Sequence, residues 1–363
     1  MPKHIFFNGR FLAQPLTGVQ RYAIEVLKAL DMLIACGRID ASGMRLEVLT
    51  PPEPCSPLPL KHITVRQVGR MRGNLWEQMD LAWHARSGLL VDLGNIGPVL
   101  HPNQVVTIHD ASVFAVPEAY SPAFRLKYQM IFWILGRTAR RVFTDSLFSK
   151  AEIIRYCGIP ADKIQVVVLG KEHILNVPSD PGIFKKYSLG SKPYILAVSS
   201  NSPHKNFSCL VKAIESMGST EFEVVIVGGS FAKVFRSSDL HPPESVRKIG
   251  YVNDSELRAL YERAVCFVYP SYYEGFGLPP LEAMTVGCPV VVSRAASLPE
   301  VCGDAALYFD PRDPADMARQ ILRIVHDPVL QASLKQKQQE RIQMFTWTRT
   351  AQEIWDEVLR YAV

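Results

Sequence analysis

The sequence predicts an α/β protein built from two doubly wound, parallel-sheet domains that face a central cleft. Short β-branched runs alternate with amphipathic stretches throughout, the pattern of βαβ units. The length of 363 residues exceeds one ordinary domain and suits two. A Pro/Ser/Gly-rich segment, Asn176-Val-Pro-Ser-Asp-Pro-Gly182, divides the runs into two sets and reads as a linker. The expected division is therefore 1–178 and 179–345, with 346–363 a C-terminal helix returning to the first domain.

In the first set, strands are predicted at His4–Phe7, Arg45–Leu49, Val105–Ile108, Arg141–Thr144 and Ile164–Val168. The second set has Tyr194–Val198, Glu223–Val227, Cys266–Tyr269 and Pro289–Val292. Each is a short apolar run of strand-forming residues. Helical periodicity places helices at Val19–Leu30, Ser146–Tyr156, Phe207–Met217, Asp254–Arg263 and Pro314–His326. A further helix runs from Ala123 after Ser121-Pro122 toward Arg141, and the polar stretch Leu334–Glu340 reads as a solvated helix face. Ligands of such sheets gather at the carboxyl ends of the strands.

Composition bounds the class. Hydrophobic residues make up 48% and charged residues 21%, a globular profile. The net charge of +5 suits an anionic ligand or an anionic membrane surface and demands neither; no nucleic-acid partner is expected. Seven cysteines without a Cys-x-x-Cys argue against a disulfide framework or structural zinc and favour a reducing compartment. The start, Met1-Pro-Lys-His-Ile-Phe-Phe-Asn8, does not read as a signal peptide. Apolar runs such as Met130–Leu135 fall far short of the ~20 residues that span a bilayer. A cytoplasmic protein is expected.

The most informative segment is Pro270-Ser-Tyr-Tyr-Glu274-Gly-Phe-Gly-Leu-Pro-Pro-Leu-Glu282-Ala-Met284. A strand ends at Pro270 and a glycine-bearing turn follows. Pro279 suits the first position of a helix and Gly287 its exit. The turn offers free backbone N–H groups beside a helix N-terminus, a place for phosphate or sugar oxygens. Glu274 lies in the loop and Glu282 about one turn into the helix. Carboxylates bind vicinal hydroxyls well, because each oxygen accepts a charge-assisted hydrogen bond. This segment resembles the Glu-x7-Glu motif of the retaining family-4 glycosyltransferases, and the likeness extends over nearly the whole chain. The resemblance implies the GT-B fold of two Rossmann-like domains, an N-terminal one for the acceptor and a C-terminal one for a nucleotide-sugar donor. It implies that Glu274 contacts the donor hexose and Glu282 the ribose hydroxyls, with Gly275, Phe276, Gly277 and Leu278 forming the donor-binding turn.

Other segments extend the likeness. Val198-Ser-Ser-Asn-Ser-Pro-His204-Lys205-Asn206 follows the first strand of the second set, and a Lys beyond a βα turn is a point charge suited to a diphosphate. It resembles the family's Pro-Arg-Lys-Asn segment, which implies that Lys205 neutralises the leaving phosphate and that Ser200 and Asn201 line the donor site. His204 stands where the family has Arg, and no Arg precedes it by a turn. Thr17-Gly18-Val-Gln-Arg-Tyr22 opens a helix with Thr17 as N-cap, and Gly18 lets a backbone approach closely. This resembles the family's diphosphate-facing glycine loop. Val105-Val-Thr-Ile-His109-Asp110 matches the family's Thr-x-His-Asp turn, which implies a polar contact from His109 to the transferred sugar. Asp110 is expected to orient the His or neighbouring backbone. Gly250-Tyr251-Val252 resembles the turn that meets the base.

The resemblance implies a hexosyltransferase, mannosyl- or rhamnosyl-transferring, with GDP-mannose the donor expected; UDP- or dTDP-sugars are the alternatives. No Asp-x-Asp pair occurs, so neither a metal nor a cofactor is expected, Lys205 and helix N-termini serving the diphosphate instead. The helix from Ala123, with Trp133, Arg125, Lys127, Arg137, Arg140 and Arg141, and the basic Arg66, Arg70 and Arg72 ahead of Trp76, allow two readings: a peripheral contact with an anionic membrane, or a core helix with basic ends. The first implies a lipid-linked saccharide acceptor in envelope polysaccharide synthesis. A nucleotide-sugar epimerase and a non-catalytic scaffold remain as competing readings. A NAD-dependent dehydrogenase is excluded, since no Gly-x-Gly-x-x-Gly follows a strand.

Overall fold

The computed structural model describes residues 3–199, 202–228 and 245–362. It consists of two compact units, Met1–Gly170 with Phe345–Val363, and Lys171–Met344.

The first unit holds seven parallel strands: β1 (Lys3–Asn8), β2 (Met44–Thr50), β3 (Thr64–Gln67), β4 (Leu89–Asp92), β5 (Gln104–Thr107), β6 (Arg141–Thr144) and β7 (Ile164–Val166). Their order is β3-β2-β1-β4-β5-β6-β7. β4 and β5 are buried along their whole length, as parallel strands covered on both faces are. β1 pairs with β2 on one side and β4 on the other, so the strand order reverses there. Helices α1 (Gly18–Ala35), α2 (Pro122–Thr138) and α3 (Leu147–Cys157) cover the sheet. Phe132 and Leu135 of α2 and Ile153 of α3 pack on Val106 and Val142. α2 ends at Thr138, short of the predicted Arg141, because Arg141 already opens β6.

The second unit holds β8 (Tyr194–Ser199), β9 (Glu223–Gly228), β10 (Val246–Gly250), β11 (Cys266–Tyr269), β12 (Val290–Ser293) and β13 (Leu307–Phe309), in the order β10-β9-β8-β11-β12-β13. Here the order reverses between β8 and β11. Its helices include α4 (Phe207–Met217), α5 (Asp254–Arg263), α6 (Leu278–Thr285), α7 (Leu298–Cys302), α8 (Pro314–His326) and α9 (Pro328–Arg341). Ile195, Val224, Val268 and Val291 of the sheet pack on Leu210 and Ile214 of α4 and on Met317 and Ile321 of α8.

The boundary lies earlier than the predicted linker. Arg258 of α5 donates to the carbonyls of Leu175 at 2.9 Å and Val177 at 2.7 Å, which ties residues 171–178 to the second unit. At the other end the chain leaves the second unit after Met344, and the helix Trp347–Tyr361 belongs to the first. Thr350 of that helix donates to the Val168 carbonyl at 2.7 Å. Residues 334–340 are not a uniformly solvated face, since Leu334 and Gln338 of α9 are buried. Among the described residues no helix is long and apolar enough to cross a membrane.

Candidate functional site

In the second unit the loops after β8 and β11 leave from adjacent strand ends at the point where the strand order reverses, the usual ligand position in an open α/β sheet. The loop after β8 turns through Pro203–Lys205 into Asn206, whose φ of 55° is a left-handed conformation that asparagine tolerates. Asn206 Nδ2 donates to the carbonyls of Pro270 at 3.1 Å and Pro311 at 2.7 Å. The Tyr272 N–H donates to the His204 carbonyl at 3.0 Å. These bonds dock one loop on the other.

The docking brings Lys205 to Glu274. The Lys205 ammonium donates to Glu274 Oε1 at 2.7 Å and to the Tyr269 hydroxyl at 2.9 Å. That hydroxyl in turn donates to Glu274 Oε1 at 2.9 Å. Burial pushes the Glu274 carboxyl upward, but the Lys205 charge outweighs it and holds the group below its ordinary value. Burial would likewise lower Lys205, yet Glu274 and then Tyr269 keep it above the usual lysine value. The resting site therefore contains an ion pair.

Ser297, which carried no signal in the sequence, supports the acidic turn from behind. Its hydroxyl lies 2.9 Å from the Glu274 carbonyl and 2.8 Å from that of Phe276. Phe276 and Leu278 are buried. Gly277 has φ 103°, and a Cβ there would lie 2.7 Å from Leu298 Cδ2, so glycine is required. α6 starts at Leu278, which puts Pro279 at its second position, not its first as predicted; Gly287 with φ 78° follows its C-terminus. Glu282 on α6 accepts from His173 Nε2 at 2.8 Å and from the Tyr261 hydroxyl at 3.3 Å. Tyr251 stands 75% exposed after β10 and Val252 is buried. Ser200 and Asn201 lie outside the described residues.

In the first unit, His109 follows β5 and is buried. Its Nδ1 meets Asp145 Oδ2 at 2.8 Å and its Nε2 the Leu93 carbonyl at 3.2 Å. Both neighbours accept, so both ring nitrogens donate; burial pulls the imidazole down, but Asp145 outweighs it and raises the pKa. Asp110 accepts from the Ser112 N–H at 2.8 Å and so orients backbone. Tyr22, one turn into α1 from Gly18, sets its ring edge-on to His109 at 4.8 Å. Among the described residues, chain neighbours and the helix's own backbone aside, nothing lies within 4 Å of a Cβ built at Gly18. At the start of α1 the Gln20 side chain accepts from the Thr17 N–H at 3.1 Å.

Sequence reasoning missed a cavity of about 340 Å³ beyond the ends of β1 and β4, lined among others by Asn8, Arg10, Gln20, Glu77 and Tyr128. Asn8 Nδ2 donates to Glu77 and to Asp92, both at 2.9 Å, and Arg10 pairs with Glu77 at 2.6 Å. Glu77 comes from a helical stretch without a motif, and no spacing marks it.

The helix from Pro122 and the basic stretch ahead of Trp76 divide between buried and exposed residues. On α2, Ile131, Phe132 and Leu135 are core, while Trp133 is 54% exposed with the Arg137 guanidinium 3.9 Å over its ring. Trp83 is likewise exposed beneath Arg86 at 3.9 Å. Arg66 and Arg141 are taken up by Glu47 at 2.7 Å and Glu357 at 3.4 Å.

A family model described as "Glycosyl transferases group 1" matches residues 180–341. The chain is 30% identical to O-antigen chain mannosyltransferase B of Escherichia coli, over 94% of this chain and 96% of that protein. It is 28% identical to O-antigen chain mannosyltransferase RfbU of Salmonella typhimurium, over 82% and 84% of the two chains. Among solved structures it is similar in fold to Anabaena Alr3699/HepE in complex with UDP-glucose, with a TM-score of 0.75, 18% identity and coverage of 99% and 100%. It is also similar in fold to WaaG, a glycosyltransferase involved in lipopolysaccharide biosynthesis, with a TM-score of 0.71, 15% identity and coverage of 98% and 99%.

Proposed function

The chain belongs to the group 1 glycosyl transferases, and from that premise we propose that it moves mannose from GDP-mannose to a saccharide acceptor, with retention of anomeric configuration and without a metal. The observation that carries the reading is the Lys205–Glu274 pair, 2.7 Å apart at the switch point of the second sheet. The relatives named as O-antigen mannosyltransferases support mannose as the sugar and a lipid-linked envelope saccharide as the acceptor.

In this reading the donor diphosphate meets Lys205 and the N–H groups of the turn Gly275–Leu278. Glu274 accepts from hydroxyls of the hexose, Glu282 from the ribose, and Tyr251 lies against the base. His109 is proposed to make a polar contact to the sugar. The C1–O bond to the phosphate breaks, and negative charge grows on the leaving oxygen. Lys205 stabilises that charge, the main contribution expected of such a site. The acceptor oxygen bonds to C1 from the same face, and its proton passes to the leaving phosphate oxygen. Glu274 already holds Lys205 and Tyr269, which suits it to orienting the sugar more than to covalent attack. Exposed Trp83 and Trp133, each beneath an arginine, support a peripheral contact on the cytoplasmic face of the membrane.

A thermal-shift screen against GDP, UDP, ADP and dTDP tests the donor. A ligand at a hundred times its Kd stabilises by about 2.7 kcal/mol. GDP is expected to give the largest shift, and no shift from any nucleotide refutes the reading. Transfer that survives EDTA, with a retained anomer by NMR, is expected; loss on chelation, restored by Mg²⁺, refutes metal independence.

A further inference from the structure

Glu282 is held by two protein donors from separate elements. His173 Nε2 meets Oε1 at 2.8 Å, and the Tyr261 hydroxyl donates to Oε2 at 3.3 Å. His173 sits in the short turn Glu172–Ile174 and is buried. Tyr261 is fully buried on α5, edge-on to Phe267 at 5.2 Å. The same helix presents Arg258 one turn earlier, which clamps the Leu175 and Val177 carbonyls just after His173. One helix thus supplies one donor and fastens the segment that carries the other.

A carboxylate offers about four lone-pair sites, two on each oxygen. The protein fills one on each, which leaves one on each oxygen. A vicinal diol needs two acceptors a carboxylate's width apart, so what remains of Glu282 matches a ribose edge. Neither donor shares the acidic segment with Glu282. We infer that His173 and Tyr261 are positioning residues that orient the Glu282 carboxylate for the 2′- and 3′-hydroxyls of the donor ribose. The inference rests on the proposed donor site and adds the residues that aim it.

The test compares binding of GDP with 2′,3′-dideoxy-GDP, and of UDP with 2′,3′-dideoxy-UDP, by calorimetry on the full-length protein and its variants. The pair that is read is the one whose ribose form binds the wild type. The wild type is expected to prefer the ribose form by at least about tenfold, since the dideoxy form loses both hydrogen bonds to the charged carboxylate. His173→Ala is expected to bring that ratio close to one while leaving the dideoxy Kd unchanged. His173→Gln, which keeps an N–H donor, is expected to restore part of it. Tyr261→Phe is expected to lower the ratio about threefold, in keeping with its longer bond. If His173→Ala fails to fold, His173→Gln and Tyr261→Phe still carry the comparison. An unchanged ratio in the variants overturns the inference, and so does an equal loss for both ligand forms, which marks a merely structural role. A wild type that binds a nucleotide without preferring ribose overturns the inference while leaving sugar transfer standing; one that binds neither nucleotide overturns both.

Discussion

Replacing Glu274 by glutamine removes one charge from a mostly buried pair while keeping its shape. The Lys205 ammonium and the Tyr269 hydroxyl, at 2.7 and 2.9 Å, retain an oxygen to donate to, so the hydrogen bonds survive and the Coulombic attraction does not. Removing one partner of a buried pair costs about 3–5 kcal/mol, and a glutamine that still accepts falls at the low end, about 3 kcal/mol. For a unit of this size that is a fall of roughly 6–12 °C in the melting of the second unit. GDP is expected to narrow the gap between variant and wild type, because its diphosphate supplies the missing negative charge to Lys205. Turnover is expected to fall about 10²- to 10³-fold, the scale of one lost transition-state contact, with GDP affinity unchanged or improved. The pH arm has a definite sign. The Glu274 carboxyl sits below its ordinary value when folded, so its stabilisation is present above the unfolded pKa of ~4.3 and is lost as pH falls through the folded value. The melting difference between wild type and Glu274→Gln should therefore shrink on acidification. Melting scans from pH 3.5 to 8 and a mannosyl-transfer assay check both. Wild-type turnover in the variant, or GDP affinity falling in step with turnover, refutes the assignment of Glu274 to the sugar; a melting difference independent of pH refutes the charged pair.

Three further outcomes follow from the geometry. Ser297→Ala leaves the carbonyls of Glu274 and Phe276 without the hydroxyl at 2.9 and 2.8 Å, and is expected to destabilise by about 1–2 kcal/mol and lower kcat without changing nucleotide Kd; kcat at the wild-type value would show that the turn holds itself. For His109 the raised pKa means a stabilisation fully present below the unfolded value of ~6.5 and lost as pH rises through the folded one. Wild-type melting should therefore decline more steeply than that of His109→Gln between pH 6.5 and 9, and parallel curves would sink the imidazolium assignment. Vesicles containing anionic lipid are expected to sediment the protein, and Trp83→Ala with Trp133→Ala to reduce the bound fraction severalfold; equal sedimentation with neutral vesicles would discard the membrane contact.

What the sequence could and could not disclose follows from how each feature is encoded. β8 and β11 are continuous apolar runs, Tyr-Ile-Leu-Ala-Val and Cys-Phe-Val-Tyr, and were legible as such. β3, β4, β10 and β13 were not, because Thr64–Gln67 and Val246–Gly250 are interrupted by polar residues, and Leu89–Asp92 and Leu307–Phe309 hold only three apolar residues each. Lys205 and Glu274 could be singled out because each lies in a loop with its own local pattern. Their contact spans 69 residues and depends on β8 lying beside β11, which no local pattern encodes. Ser297, His173 and Tyr261 mark the limit more sharply. Serine, histidine and tyrosine on turns and helices are ordinary residues, and their meaning arises only when the fold sets them against Glu274 and Glu282. In a doubly wound sheet the groups that touch ligand come from loops after adjacent strands at the reversal of order, and those strands are remote in sequence. A motif can therefore name the groups that meet the ligand, while the groups that aim them stay hidden until the strand order is known.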